Sequence, residues 1–111
     1  MSSLSFTKDK SVQRVLTFLE KVDVSFQPRL STKVDLLTYS TKISKLGNVF
    51  FANLDNKDVG IVAFYMNPES KKTFITIIGV LPKYQGRGIG KFLLDLVQDD
   101  SSKKGMHCIE L

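Results

Sequence analysis

Gly86, Gly88 and Gly90 stand within five positions, with Arg87 and Ile89 between them and Lys91 directly after. Glycine allows positive φ and close approach of a ligand to the backbone, at a cost of about 0.5–1 kcal/mol inside a regular element. Three so close together need a compensating reason. The apolar run TFITIIGVL at 73–81 precedes them, and apolar residues at 89, 92, 93, 96 and 97 follow at helical spacing. Between a strand and a helix N-terminus, such glycines let successive N–H groups point into one concavity, to which the helix dipole adds positive potential. That chemistry suits a phosphate. A tight turn in which glycine merely avoids clashes is the plain alternative. A Walker loop is excluded because the G-K-[ST] ending is missing, and a dinucleotide fingerprint fits poorly because its G-x-G-x-x-G spacing is absent.

Charge favours the phosphate reading. The 111 residues carry 16 Lys and Arg against 11 Asp and Glu, a net +5. Within 67–91, Lys71, Lys72, Lys83, Arg87 and Lys91 stand against Glu69 alone, so five minus one leaves +4 around the glycines.

The elements that must hold this loop are legible from periodicity. Val12, Val15, Leu16, Leu19 and Val22 give an amphipathic helix over 9–22. A second helix follows STKVD, with Thr32 as its cap and Asp35 three residues on, and with Leu36, Tyr39, Ile43 and Leu46 on its stripe before Gly47. DVSFQPRL at 23–30 reads as an irregular connection in which Phe26 either packs or contacts a substrate. Beta-branched and aromatic runs at 48–54 and 59–66, split by DNKD, predict a hairpin, and 73–81 predicts a third strand covered on both faces. A helix from Ile89 to about Lys104 stops at Gly105, and MHCIEL at 106–111 predicts a strand. Right-handed crossover then makes 73–81 and 106–111 parallel neighbours. The fold class is α/β, with a mixed sheet in which an antiparallel meander leads into a parallel β-α-β unit.

Length and composition predict one domain over 1–111, since a chain of this size builds a single core. Cys108 is the sole cysteine, which excludes an internal disulfide and a multi-cysteine zinc site, so no metal is expected. No apolar run approaches the roughly 20 residues of a membrane span, and MSSLSFTKDK lacks a signal-peptide centre. These features predict a cytoplasmic protein with no membrane partner.

The run VLPKYQGRGIG at 80–90 closely resembles the acetyl-coenzyme A signature of the GNAT superfamily of N-acetyltransferases, Q/R-x-x-G-x-G/A, with Gln85, Gly88 and Gly90 at its defining positions. The order of elements resembles that family's over the whole chain. The resemblance implies acetyl transfer from acetyl-coenzyme A to a primary amine of a small molecule or protein. It implies that the N–H groups of Gln85, Gly86, Arg87, Gly88, Ile89 and Gly90, with Lys91 close by, grip pyrophosphate. It also implies that Ile78 and Val80 offer free main chain to the pantetheine arm, with Gly79 marking either a strand bulge or a small residue beneath a packed side chain.

The family continues past its fifth strand into a helix and further strands, so the resemblance implies a domain without its C-terminal part. Among acidic residues only Glu110 falls near the expected splay, and Tyr65 is the aromatic candidate at the acceptor cleft; both are catalytic candidates, and the general base stays open. His107 reads as a packing or surface residue, having no patterned partner, and Cys108 as a small core residue, since nothing marks a lowered thiol pKa. The open strand edge makes a homodimer an expectation. The competing reading is a silent domain that binds coenzyme A or a protein partner. Nucleic acid is not expected as a partner, because +5 is modest and no base-reading motif is present.

Overall fold

Val15, Phe18, Leu19 and Val22 lie fully buried on one side of α1, Val12–Val22, so the predicted stripe is the packed one, with Phe18 added to it. The computed structural model describes residues 4–111, and the first three residues of the predicted domain lie outside that range. Before α1 runs an edge strand, β1, Leu4–Lys8. After it the connection is more ordered than predicted, holding two short 3-10 turns at Asp23–Ser25 and Leu30–Thr32. Asp23 closes this segment by accepting from the Ser31 N–H at 2.8 Å and the Ser31 hydroxyl at 2.7 Å.

The second helix, α2, runs Leu36–Leu46, and its cap is Asp35, which accepts from the Thr38 N–H at 3.0 Å. Thr32 is not the cap. It is spent in the preceding 3-10 turn, where its hydroxyl donates to the Arg29 carbonyl at 2.6 Å. Leu46 also leaves the expected stripe and is 62% exposed, because Gly47 ends the helix and turns the chain into the sheet.

The meander comprises β2, Asn48–Leu54, β3, Lys57–Asn67, and β4, Lys72–Val80. Strand β3 starts two residues earlier than predicted. Asp55 and Asn56 take φ of 52° and 65°, the two-residue primed turn that matches strand twist, so Lys57 already pairs with Leu54. After a 3-10 turn at Pro82–Tyr84 comes α3, Ile89–Lys103. It ends in a Schellman motif: Gly105 has φ +78°, its N–H donates to the Ser102 carbonyl at 3.1 Å, and the Met106 N–H donates to Ser101 at 2.9 Å. The last strand, β5, Cys108–Glu110, pairs parallel with Lys72, Thr73 and Phe74, as the crossover rule requires.

Strand order is β1-β2-β3-β4-β5, with β1 to β4 antiparallel. The central β3 is buried on both faces. Val15, Phe18, Leu19, Ile43, Phe51, Ile61, Ala63 and Ile77 fill the core beneath α1 and α2. Val62, Phe64, Ile75, Ile89, Leu93 and Val97 fill the core beneath α3. Gly60 decides how closely α3 sits, since a Cβ there would stand 3.2 Å from both Ile89 and Leu93. Thr73 and Ser101 join α3 to β4 through a buried hydroxyl pair at 2.8 Å. This pair pins the C-terminal end of α3 to the start of β4, while the packing of Ile89 and Leu93 at Gly60, which pairs with Val80, sets the helix N-terminus beside the strand end.

Candidate functional site

The loop between β4 and α3 is shaped by two left-handed glycines, Gly86 and Gly88, each with φ +80°. Gly88 is the N-cap of α3 and brings no capping side chain, so the first helical N–H groups are left to an external acceptor. The N–H groups of residues 86 to 91 find no acceptor among the described residues. Gln85 departs from the predicted cradle: its N–H already donates to the Pro82 carbonyl at 3.3 Å, and its side-chain amide donates to the Val80 carbonyl at 3.0 Å. It ties the loop to the strand end rather than facing a ligand.

The electrostatics are one-sided. The first turn of α3 holds no acidic residue, although the positive end of a helix favours one by about 0.3–1 kcal/mol. It carries Lys91 instead, and Arg87 stands just before it with its guanidinium over the Tyr84 ring at 5.4 Å. Such an arrangement is unfavourable for the ligand-free helix and favourable once an anion sits among those N–H groups. Gly90 points the same way, since a Cβ built there meets nothing within 4 Å and its φ is ordinary. Neither packing nor backbone conformation requires glycine at that position.

The adjoining edge of β4 is open from Ile75 to Val80 among the described residues, because pairing with β5 covers only Lys72 to Phe74. The Leu81 N–H donates to the Val59 carbonyl at 2.9 Å, so antiparallel alternation turns the main-chain groups of Gly79 and Ile77 toward β3 and those of Ile78 and Val80 outward. Ile78 and Val80 therefore match the expected outward-facing positions, with the Val80 carbonyl taken by Gln85. Gly79 does not offer free main chain, and it is not the bulge. A Cβ at Gly79 would stand 3.3 Å from both Phe26 and Val22, so glycine there admits packed side chains. The bulge falls at Thr76, which is skipped between the pairs Ala63 with Ile77 and Phe64 with Ile75.

The candidate catalytic residues separate. Glu110 forms an ion pair with Lys72 at 3.2 Å, with both side chains about two-fifths exposed. Tyr65 has a buried hydroxyl with no hydrogen-bond partner among the described residues, and burial, together with the neighbouring Tyr39, pushes its phenol upward, so it stays protonated at neutral pH. Phe26 packs on the core at Gly79. Cys108 is exposed rather than in the core, because β5 lies at the edge of the sheet, and His107 just before it is also exposed, its N–H donating to the Lys71 carbonyl at 2.7 Å. Among the described residues, no group of three or more His, Cys, Asp or Glu side chains is placed to hold a metal ion.

Sequence reasoning missed Tyr39 as a polar residue. Its hydroxyl donates to the Thr76 carbonyl at 3.1 Å and lies 2.6 Å from the Thr76 hydroxyl. The periodicity of α2 marked Tyr39 as a stripe position, and nothing local in sequence names a partner 37 residues away. A separate open concavity of about 640 Å³ is lined by Ser5, Thr7, Arg14, Lys21, Asn53 and Asp58 among others. Its arginine is already engaged by Asp58 at 2.8 and 2.9 Å and by Asp9 at 3.1 Å.

The family model described as the acetyltransferase (GNAT) family matches residues 16–111. No curated protein matches the chain in sequence. An aminoglycoside acetyltransferase from an uncultured soil metagenomic sample is similar with 18% identity and a TM-score of 0.77, over 98% of this chain and 79% of that one. The PaiA N-acetyltransferase of Thermoplasma acidophilum, solved with coenzyme A, is similar with 18% identity and a TM-score of 0.69, over 95% of this chain and 78% of that one. An IAA acetyltransferase from Bacillus cereus is similar with 19% identity and a TM-score of 0.69, over 94% of this chain but 61% of its own length. At such identities the likeness establishes the fold.

Proposed function

Since the chain belongs to the GNAT family of acetyltransferases, we propose that it transfers an acetyl group from acetyl-coenzyme A to a primary amine of a small molecule or protein. The observation that carries this reading is the uncapped start of α3, where N–H groups of residues 86 to 91 lack acceptors among the described residues and the space at Gly90 is open. They bind pyrophosphate, and Lys91 and Arg87 add charge to the same cradle. The outward main chain of Ile78 and the Val80 N–H hold the pantetheine arm as a neighbouring strand would. Bound there, acetyl-coenzyme A supplies an activated thioester. The protein's part is to orient that group and to manage protons. Tyr65, held protonated, is the candidate acid for the departing thiol, while Glu110 serves as a base only if its ion pair with Lys72 opens.

We take residues 1–111 as one domain acting in the cytoplasm. No helix among the described residues is long and apolar enough to cross a membrane. A second reading, binding of coenzyme A without transfer, is favoured by one observation: the candidate base, Glu110, is already paired with Lys72.

Thermal melting tests the shared premise. Coenzyme A at about 100 times its dissociation constant should stabilise the protein by about 2.7 kcal/mol. Gly88→Glu should abolish that response while the fold, strained at φ +80°, still forms. An undiminished response would refute the cradle. Thiol release across a panel of amines then separates transfer from silent binding.

A further inference from the structure

Thr76 is the extra residue of the β4 bulge, and both of its oxygens are held by one side chain from the other layer, Tyr39 on α2. The proton count fixes the pattern. Tyr39 has one hydroxyl proton; with that proton donated to the Thr76 carbonyl, the 2.6 Å contact is supplied by the Thr76 hydroxyl. The carbonyl is thereby withdrawn from any strand ladder. Further along β4, Val80 is tied to the loop by Gln85, and the outward groups of Ile78 lie between these two fixed points.

The spacing gives the bulge its meaning. Thr76 lies four residues back from Val80, roughly 13 Å along a strand rising about 3.3 Å per residue. A chain that leaves the anion cradle and lies along this edge therefore brings its far end to Thr76. Tyr65 packs on the same core as Tyr39 and feels its charge, and its buried hydroxyl has no partner among the described residues. A polar group left so is costly unless a ligand or water satisfies it.

We propose that Tyr39 is a positioning residue for acetyl transfer, fixing the bulge at Thr76 so that the β4 main chain registers the acyl end of the cofactor. The inference rests on the acetyl-coenzyme A reading above. It assigns the cradle to holding the nucleotide and the Tyr39–Thr76 contact to distinguishing acetyl-coenzyme A from free coenzyme A. Tyr39 does not touch the acyl group; it acts through Thr76.

Calorimetric titration of the full chain with coenzyme A and with acetyl-coenzyme A tests this. Tyr39→Phe keeps the ring and removes the hydroxyl. It should leave the affinity for free coenzyme A within about twofold and weaken acetyl-coenzyme A about tenfold, as one lost hydrogen bond allows. The bound carbonyl resonance of acetyl-coenzyme A labelled with carbon-13 should move toward its free value in the same variant. Thr76→Val removes the other hydroxyl and should shift the affinity ratio in the same direction by about threefold. Ser40→Ala, which deletes an unpartnered buried hydroxyl on the same helix, should leave the ratio at the wild-type value. An unchanged ratio and resonance in Tyr39→Phe overturn the proposal. If that variant does not fold, an unchanged ratio in Thr76→Val does so. Wild-type protein that binds neither ligand refutes the underlying cofactor reading instead.

Discussion

Alanine at position 90 should raise the melting temperature of the ligand-free protein and lower its response to coenzyme A. The added methyl meets no protein atom within 4 Å, and the backbone there is not in the left-handed region. Removing a helical glycine then gains up to about 1 kcal/mol, and near a helix start about 0.5 kcal/mol is the fair expectation. For a domain of about 100 residues, 0.5 kcal/mol corresponds to roughly 2–4 °C. The proposed reading assigns the open space at Gly90 to the phosphate, so the methyl should push that group from its best position. A tenfold loss of affinity is about 1.4 kcal/mol. Coenzyme A at about 100 times the wild-type dissociation constant would then stabilise the variant by about 1.4 kcal/mol in place of about 2.7. Differential scanning calorimetry with and without the ligand reads both quantities. Gly88→Ala supplies the contrast: at φ +80° alanine is strained by about 1–2 kcal/mol, so this variant should melt lower even without ligand. Equal or lower stability of ligand-free Gly90→Ala would refute the claim that the fold does not need this glycine. An undiminished ligand response would refute the claim that the cofactor does.

Arg14 bridges Asp58 and Asp9 and lies over the Phe51 ring at 4.4 Å, so Arg14→Ala should cost about 2 kcal/mol in urea denaturation. A loss near zero would mean the network is fully replaced by water. Asp23 is held below the ordinary carboxylate range by hydrogen bonds from Ser31. Its contribution is therefore present above the unfolded value of about 3.9 and is lost as pH falls through the lower folded value. The melting-temperature gap between wild type and Asp23→Asn should hold from pH 7 to about pH 5 and narrow progressively as pH falls below about 4. A gap that widens as pH falls below about 4 would contradict that sign.

The glycine loop and the elements around it were legible because each is encoded by neighbours in sequence. Helical spacing marked α1 and α3, β-branched runs marked the meander, and the three glycines at 86, 88 and 90 announced a strand-to-helix turn with bare backbone. The same local logic misplaced the cap of α2. Thr32 and Asp35 are both good caps, and the choice of Asp35 follows from Thr32 being used within its own 3-10 turn. For Gly79 the sequence left two roles open, a bulge or room beneath a packed side chain; that it is the second, clearing space for Val22 and Phe26, depends on where α1 and the following loop cross the sheet.

The sequence by itself determined the kinds of element, their order, the parallel crossover and the glycine-rich turn that joins β4 to α3, since these follow from periodicity, chain connectivity and residues within a few positions of one another. Only the tertiary structure decided which β4 groups face outward, where the bulge falls, and that Gln85 turns back to Val80. It alone brought Tyr39 to Thr76, across 37 residues of chain and between two packed layers. The physical reason is that strand register and layer contacts are set by how separate apolar faces pack together, and that packing has no signature in any short stretch of the chain.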